Sequence, residues 1–182
     1  VASSIAVETI AKTAPQSADA ARLAAAVEAA NAAVIEAALN GLGKPGMGCT
    51  ATCAYIENDT LAIAHVGDSR AYLLHEGTLI RVTRDHSYVE ELVDAGEITA
   101  DEARVHPNRS VITRALGSDP AMYADHFTLH IEEGDRLILC SDGLSSMIPD
   151  SDIENIATQS STAQICVDNL VDAALAAGGH DN

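Results

Sequence analysis

The sequence predicts an α+β domain in which antiparallel strands are covered by helices. Three observations carry this. Both ends of the chain show apolar residues at helical spacing, the middle holds short strand-like runs separated by tight turn signals, and a polar, helix-patterned stretch interrupts those runs. Strands that follow one another after turns of two or three residues pair antiparallel, since parallel strands need long crossovers.

The elements follow in order. Ala2, Ile5, Ala6 and Ile10 share a helix face from Val1 to about Thr13, which Pro15 ends. Ser17 or Asp19 can cap a second helix running to about Leu42, with Leu23, Val27, Ala30, Val34, Ala38 and Leu42 in one stripe. Glycines 41, 43, 46 and 48 with Pro45 then break the chain. Strands are expected over Cys49–Ile56, Thr60–Val66, Arg70–Leu74 and Thr78–Val82, turned by Glu57-Asn58-Asp59 and Glu76-Gly77. Two short helices, Tyr88–Ala95 and Thr99–Arg104, fall inside a stretch that carries Arg104, Arg109 and Arg114 and has the character of an inserted subdomain. Strands return over Tyr123–Ile131 and Asp135–Cys140, the run Leu137–Cys140 being expected to bury both faces. Helices Asp150–Ala157 and Ser161–Ala177 close the chain before Gly178-Gly179.

The 182 residues suffice for one domain with a real core, and 47% are hydrophobic, so the chain is globular. Lys and Arg number 10 against 27 Asp and Glu, a net charge of −17. That argues against nucleic acid and against an anionic membrane surface as partners. Aromatics at 3% leave an aliphatic core and no base-stacking platform. Four cysteines without CxxC spacing imply reduced thiols and a cytoplasmic setting, and Cys49 and Cys53 lack the further soft ligands that zinc needs. No segment is long and apolar enough to span a membrane.

Three aspartates share one local setting. Asp68 follows a strand and Gly67, Asp142 follows a strand and precedes Gly143, and Asp181 follows Gly178-Gly179 and precedes Asn182. Carboxylates at glycine-marked ends of rigid elements suit hard cations such as Mg²⁺ or Mn²⁺, although Asp-Gly and Gly-Asp are also ordinary turn dipeptides. Ser141 lacks a Gly-x-Ser-x-Gly frame, and Gly46-Met47-Gly48 lacks the lysine of a phosphate-binding loop. His65, inside an apolar strand, reads as a core histidine. His86, beside Asp85, is a candidate to bind phosphate or carry a proton, or else an ordinary turn residue.

Five segments together resemble the bacterial branch of the metal-dependent protein phosphatases of type 2C. They are Gly46-Met47-Gly48-Cys49-Thr50, Val66-Gly67-Asp68-Ser69-Arg70-Ala71-Tyr72-Leu73, His106-Pro107 with Arg109-Ser110 and Arg114-Ala115-Leu116-Gly117, Leu139-Cys140-Ser141-Asp142-Gly143-Leu144, and Gly178-Gly179-His180-Asp181-Asn182. The resemblance spans essentially all 182 residues. It implies an α-β-β-α sandwich of two antiparallel sheets forming a single domain, with a flap over about residues 85–117. It implies two, or with a third site three, Mg²⁺ or Mn²⁺ ions. Asp142 and Asp181 would ligate the metal core, and Asp68, with Asp142 and the neighbourhood of Ser110, the third site. Arg104, Arg109, Arg114 and His86 would face the substrate from the flap. The implied activity is hydrolysis of phosphoserine or phosphothreonine in proteins by a water held on the metals, without a phosphoenzyme. The implied partners are phosphoproteins and a serine/threonine kinase whose work the enzyme reverses.

The sequence also departs from the family. The resemblance implies that the family's opening strands, with a phosphate-gripping arginine and a bridging aspartate, and its last strand fall outside these 182 residues, and that Cys49 stands where the family usually has threonine. The 182 residues by themselves are therefore expected to be inactive or impaired, and their uncovered sheet edge invites dimerisation. The competing reading is a phosphatase-like binding or regulatory module without catalysis.

Overall fold

The computed structural model describes residues 1–179. The described chain divides into two compact units, residues 1–68 with 85–131, and residues 69–84 with 132 onward.

The first unit opens with helices α1 (Ala2–Thr13) and α2 (Ala20–Leu39), the second capped by the Asp19 side chain, which accepts from the Arg22 N–H at 3.0 Å. Its sheet has the order β1-β2-β5, with β1 Ala51–Glu57, β2 Thr60–Val66 and β5 Asp125–His130, all antiparallel. The stripe Leu23, Val27, Ala30 and Val34 of α2 packs with Ala62, Ala64 and Val66 of β2, while Ala2 and Ala6 of α1 join the same core. The stripe ends earlier than its spacing suggests: Leu42 lies beyond α2 and is 61% exposed. Gly41, with positive φ, stops the helix before Leu42 can enter it.

Between β2 and β5 the unit carries α3 (Tyr88–Asp94) and α4 (Ala100–Val105). Ser87 caps α3, and Thr99 with Glu102 forms a reciprocal capping box on α4. The stretch is tied at its root by a short antiparallel pairing: Tyr88 N–H donates to Val111 C=O at 2.9 Å and Thr113 N–H to His86 C=O at 2.9 Å.

The second unit has a sheet of order β4-β3-β6, with β3 Arg70–His75, β4 Thr78–Arg81 and β6 Arg136–Cys140, again antiparallel. Its helices are α5 (Asp142–Ser145), α6 (Asp150–Gln159) and α7 (Ala163–Ala176). Tyr72, Leu74, Ile148, Ile153, Cys166 and Leu170 make its core. Polar ties fix α6 to the sheet. The Tyr72 hydroxyl donates to Asp150 at 2.8 Å, Glu154 accepts the Leu79 N–H at 2.7 Å, and the Arg136 guanidinium donates to Ala157 C=O at 2.9 Å.

The expected α+β class with two antiparallel sheets and flanking helices is what the chain adopts. Two local expectations are corrected. The strand buried on both faces is β2, whose residues Leu61–Val66 are fully buried; β6 is the edge of its sheet among the described residues, and Leu139 is 46% exposed. Asp142-Gly143 is not a sharp turn but the first turn of α5. Among the described residues no helix is long and apolar enough to cross a membrane.

Candidate active site

The first unit builds a polar network around Gly67 and His86. Gly67 ends β2 with φ +114°, and a β-carbon there would collide with the Thr50 side chain. Only glycine meets both demands, so the turn that presents Asp68 is set by its neighbour. His86, 3% exposed, holds that glycine: its Nδ1 accepts the Gly67 N–H at 3.0 Å and its own N–H donates to Gly67 C=O at 2.7 Å. His86 Nε2 lies 3.0 Å from Asp125 Oδ2, and Asp125 Oδ1 accepts from Arg114 at 2.6 Å. Arg114 also donates to the Tyr123 hydroxyl at 3.0 Å and lies 4.1 Å over that ring. Burial pushes the Asp125 carboxyl up, but the hydrogen bonds and charges of His86 and Arg114 outweigh it and hold the group below the usual range.

His65, fully buried as expected for a core histidine, places its ring 4.9 Å from that of His86 and its Nδ1 2.9 Å from Thr52 Oγ1. The Gly46-Met47-Gly48 segment makes a close backbone approach to Leu116-Gly117. Cys49 and Leu116 exchange backbone hydrogen bonds of 3.2 and 2.9 Å, and a β-carbon on Gly48 would stand 2.7 Å from Leu116 C=O. Buried Asn31 of α2 fixes the next residues, accepting the Gly117 N–H at 2.7 Å and donating to Asp119 C=O at 2.8 Å.

In the second unit Asp142, half-buried, opens α5 directly after β6. Arg70, the first residue of β3, pairs with Cys140, the last of β6.

The expected site residues fall as follows. Asp68 and Asp142 each sit at the end of a strand, in different units. Asp181 lies outside the described residues. Among the described residues no group of three His, Cys, Asp or Glu side chains could hold a metal ion. Asp68 and Asp142 are each a carboxylate, the donor type that hard cations take. The three flap arginines stand in different settings: Arg109 is exposed with Ser110, Arg104 is half-buried, and Arg114 is bonded to Asp125 and Tyr123. His86, expected at the substrate, is instead interior, with both ring nitrogens occupied. Sequence reasoning missed Asp125, whose place in a polar-apolar alternation reads as an ordinary strand residue. It also missed Asn31, a single polar residue in an apolar helix stripe, which is a signal of a buried hydrogen bond.

Two antiparallel three-stranded sheets, flanking helices and a helical insertion define the class of fold. The chain belongs to the protein phosphatase 2C family, which it matches over residues 6–182. Among its relatives, the serine/threonine protein phosphatase PstP of Mycobacterium tuberculosis is 41% identical over 165 residues, 89% of this chain and 31% of that protein. The serine/threonine phosphatase stp of Listeria welshimeri is 39% identical over 137 residues, 75% of this chain and 54% of that protein. The chain thus spans about half or less of the length of these relatives. Of solved structures, the Mycobacterium tuberculosis phosphatase PstP/Ppp superposes with a TM-score of 0.90 at 37% identity, over 100% of this chain and 77% of that one. The catalytic domain of PstP in complex with two manganese ions gives 0.88 at 34% identity, over 100% of this chain and 76% of that one.

Proposed function

We propose that the protein bearing this chain is a Mg²⁺- or Mn²⁺-dependent phosphatase of phosphoserine and phosphothreonine in proteins. The observation that carries this reading is family membership across residues 6–182, with relatives named as serine/threonine phosphatases. Asp142 and Asp181 are the core metal ligands in this reading, and Asp68, with Asp142 and Ser110, serves a further cation. When bound, the cations supply Lewis-acid activation of water and neutralise the phosphoryl oxygens. The chain's own contribution is to hold the carboxylates on backbone that cannot drift, and to present Arg109 and Ser110 on the exposed side of the insertion. Its substrates are the products of serine/threonine kinases.

The full-length protein tests this. With Mn²⁺ it should release phosphate from a phosphothreonine peptide and from a small aryl phosphate, and a chelator should stop both. No release in the presence of Mn²⁺ would overturn the reading.

A further inference from the structure

We propose that His86 is a positioning residue that orients the Gly67-Asp68 turn, with Asp125 and Arg114 holding the imidazole in place. The inference rests on the phosphatase reading, in which Asp68 ligates a cation.

The hydrogen-bond roles follow from what each atom can do. A backbone N–H only donates, so His86 Nδ1 must accept from Gly67 at 3.0 Å. The ring proton then lies on Nε2, where it is donated to Asp125 Oδ2 at 3.0 Å. The other oxygen of that carboxylate takes the Arg114 guanidinium at 2.6 Å, and Arg114 is stacked on Tyr123. Gly67 C=O is taken by the His86 N–H at 2.7 Å. Both backbone polar groups of Gly67 therefore end on one residue, 19 positions further along the chain. The imidazole is wedged against the His65 ring and is 2% exposed as a side chain.

A ring so committed has no nitrogen left to offer a phosphoryl group, so its effect on the reaction passes through Asp68. The device is of the kind that orients metal-ligating side chains in general: an outer hydrogen-bond partner fixes the direction of the inner donor. Here it fixes the peptide plane rather than the carboxylate, and glycine makes this necessary. A residue with φ +114° and no side chain has wide conformational latitude unless both its polar groups are tied.

Two substitutions separate positioning from mere packing. In His86→Asn the amide oxygen stands near the place of Nδ1, keeping the acceptor for Gly67 but falling short of Asp125. In His86→Gln the amide reaches toward Asp125 and leaves the Gly67 N–H without its acceptor. In full-length protein, exchange of the Gly67 amide is followed by NMR without metal, Mn²⁺ affinity by calorimetry, and Tm by circular dichroism. H86N should keep the amide protected and hold the Mn²⁺ Kd within about threefold. H86Q should lose protection and weaken Mn²⁺ by about 10- to 100-fold, the range seen when outer partners of metal ligands are removed. If both variants lower Tm alike and neither changes the Gly67 amide or Mn²⁺ affinity, His86 is a packing residue and the proposal is wrong. Should the wild-type protein bind no Mn²⁺, the phosphatase reading fails separately, and the Gly67 amide alone then decides whether His86 holds the turn.

Discussion

Gly67 and Asp142 show how much rests on single positions. Gly67→Ala adds a β-carbon where Thr50 already sits and forces alanine into a backbone region that L-residues rarely adopt. The backbone part alone costs about 1–3 kcal/mol, and urea denaturation of G67A should show at least that loss. Asp142 asks for a different readout. It is half-buried at the start of α5, so Asp142→Asn keeps shape and volume and removes only charge. The variant should retain the wild-type Tm and lose Mn²⁺-dependent hydrolysis of an aryl phosphate, and unchanged turnover would remove Asp142 from the ligand set. Both residues were visible in the sequence because glycine beside aspartate marks a constrained carboxylate. His86 was visible too, but its role was not: sequence shows a histidine beside an aspartate, whereas the partner that fixes its tautomer is Asp125, 39 residues away.

Helices and strands were legible wherever one periodicity dominated. β1 to β4 fall within two residues of their expected bounds because β-branched and apolar runs end at turn residues such as Asn58 and Glu76-Gly77, which adopt positive φ. Helix α5 escaped because four residues make barely one turn, and Ser-Asp-Gly reads equally as a turn or as a helix start. Burial of β6 was misjudged because an apolar run reports composition, not position in the sheet order. Two ties between elements deserve tests. Asn31 joins α2 to the loop at Gly117–Asp119, and Asn31→Ala removes the acceptor of the half-buried Gly117 N–H and the donor to the C=O of exposed Asp119. A hydrogen bond of this kind contributes about 0.5–1.5 kcal/mol, so the urea midpoint should fall while the slope stays fixed. His75 closes the end of β3 onto Asp135, just before β6, through a 2.8 Å hydrogen bond. That bond, followed by the Asp135 charge, raises the His75 pKa above 6.5. Because the folded value is the higher one, the stabilisation is full below about pH 6.5 and fades as pH rises through the raised value. Stability of Asp135→Asn measured against pH should lack this component, its curve approaching that of wild type at alkaline pH.

On the phosphatase reading, the charge of −17 over these 182 residues bears on how a phosphorylated partner approaches. A phosphopeptide is itself anionic, so the long-range field opposes the encounter, and only local cations can offset it. Of the ten basic residues, Arg70, Arg81, Arg114 and Arg136 spend their guanidinium groups on Asp150, Thr83 C=O, Asp125 and Ala157 C=O. On the phosphatase reading, Arg109, exposed on the insertion beside Ser110, is a cation open to an approaching peptide. Arg109→Ala should therefore raise KM for a phosphopeptide and leave both Tm and turnover of an aryl phosphate unchanged. Arg114→Ala should lower Tm and impair both substrates, since it dismantles the support of Asp125. The same field predicts a preference for phosphopeptides with basic flanks over acidic ones. The screening length falls from about 30 Å near 0.01 M salt to about 8 Å near 0.15 M. The ratio of kcat/KM for the basic over the acidic peptide should therefore shrink as salt rises across that range. A ratio independent of salt would mean that recognition depends on close contacts alone and that the acidic surface plays no part in choosing the substrate.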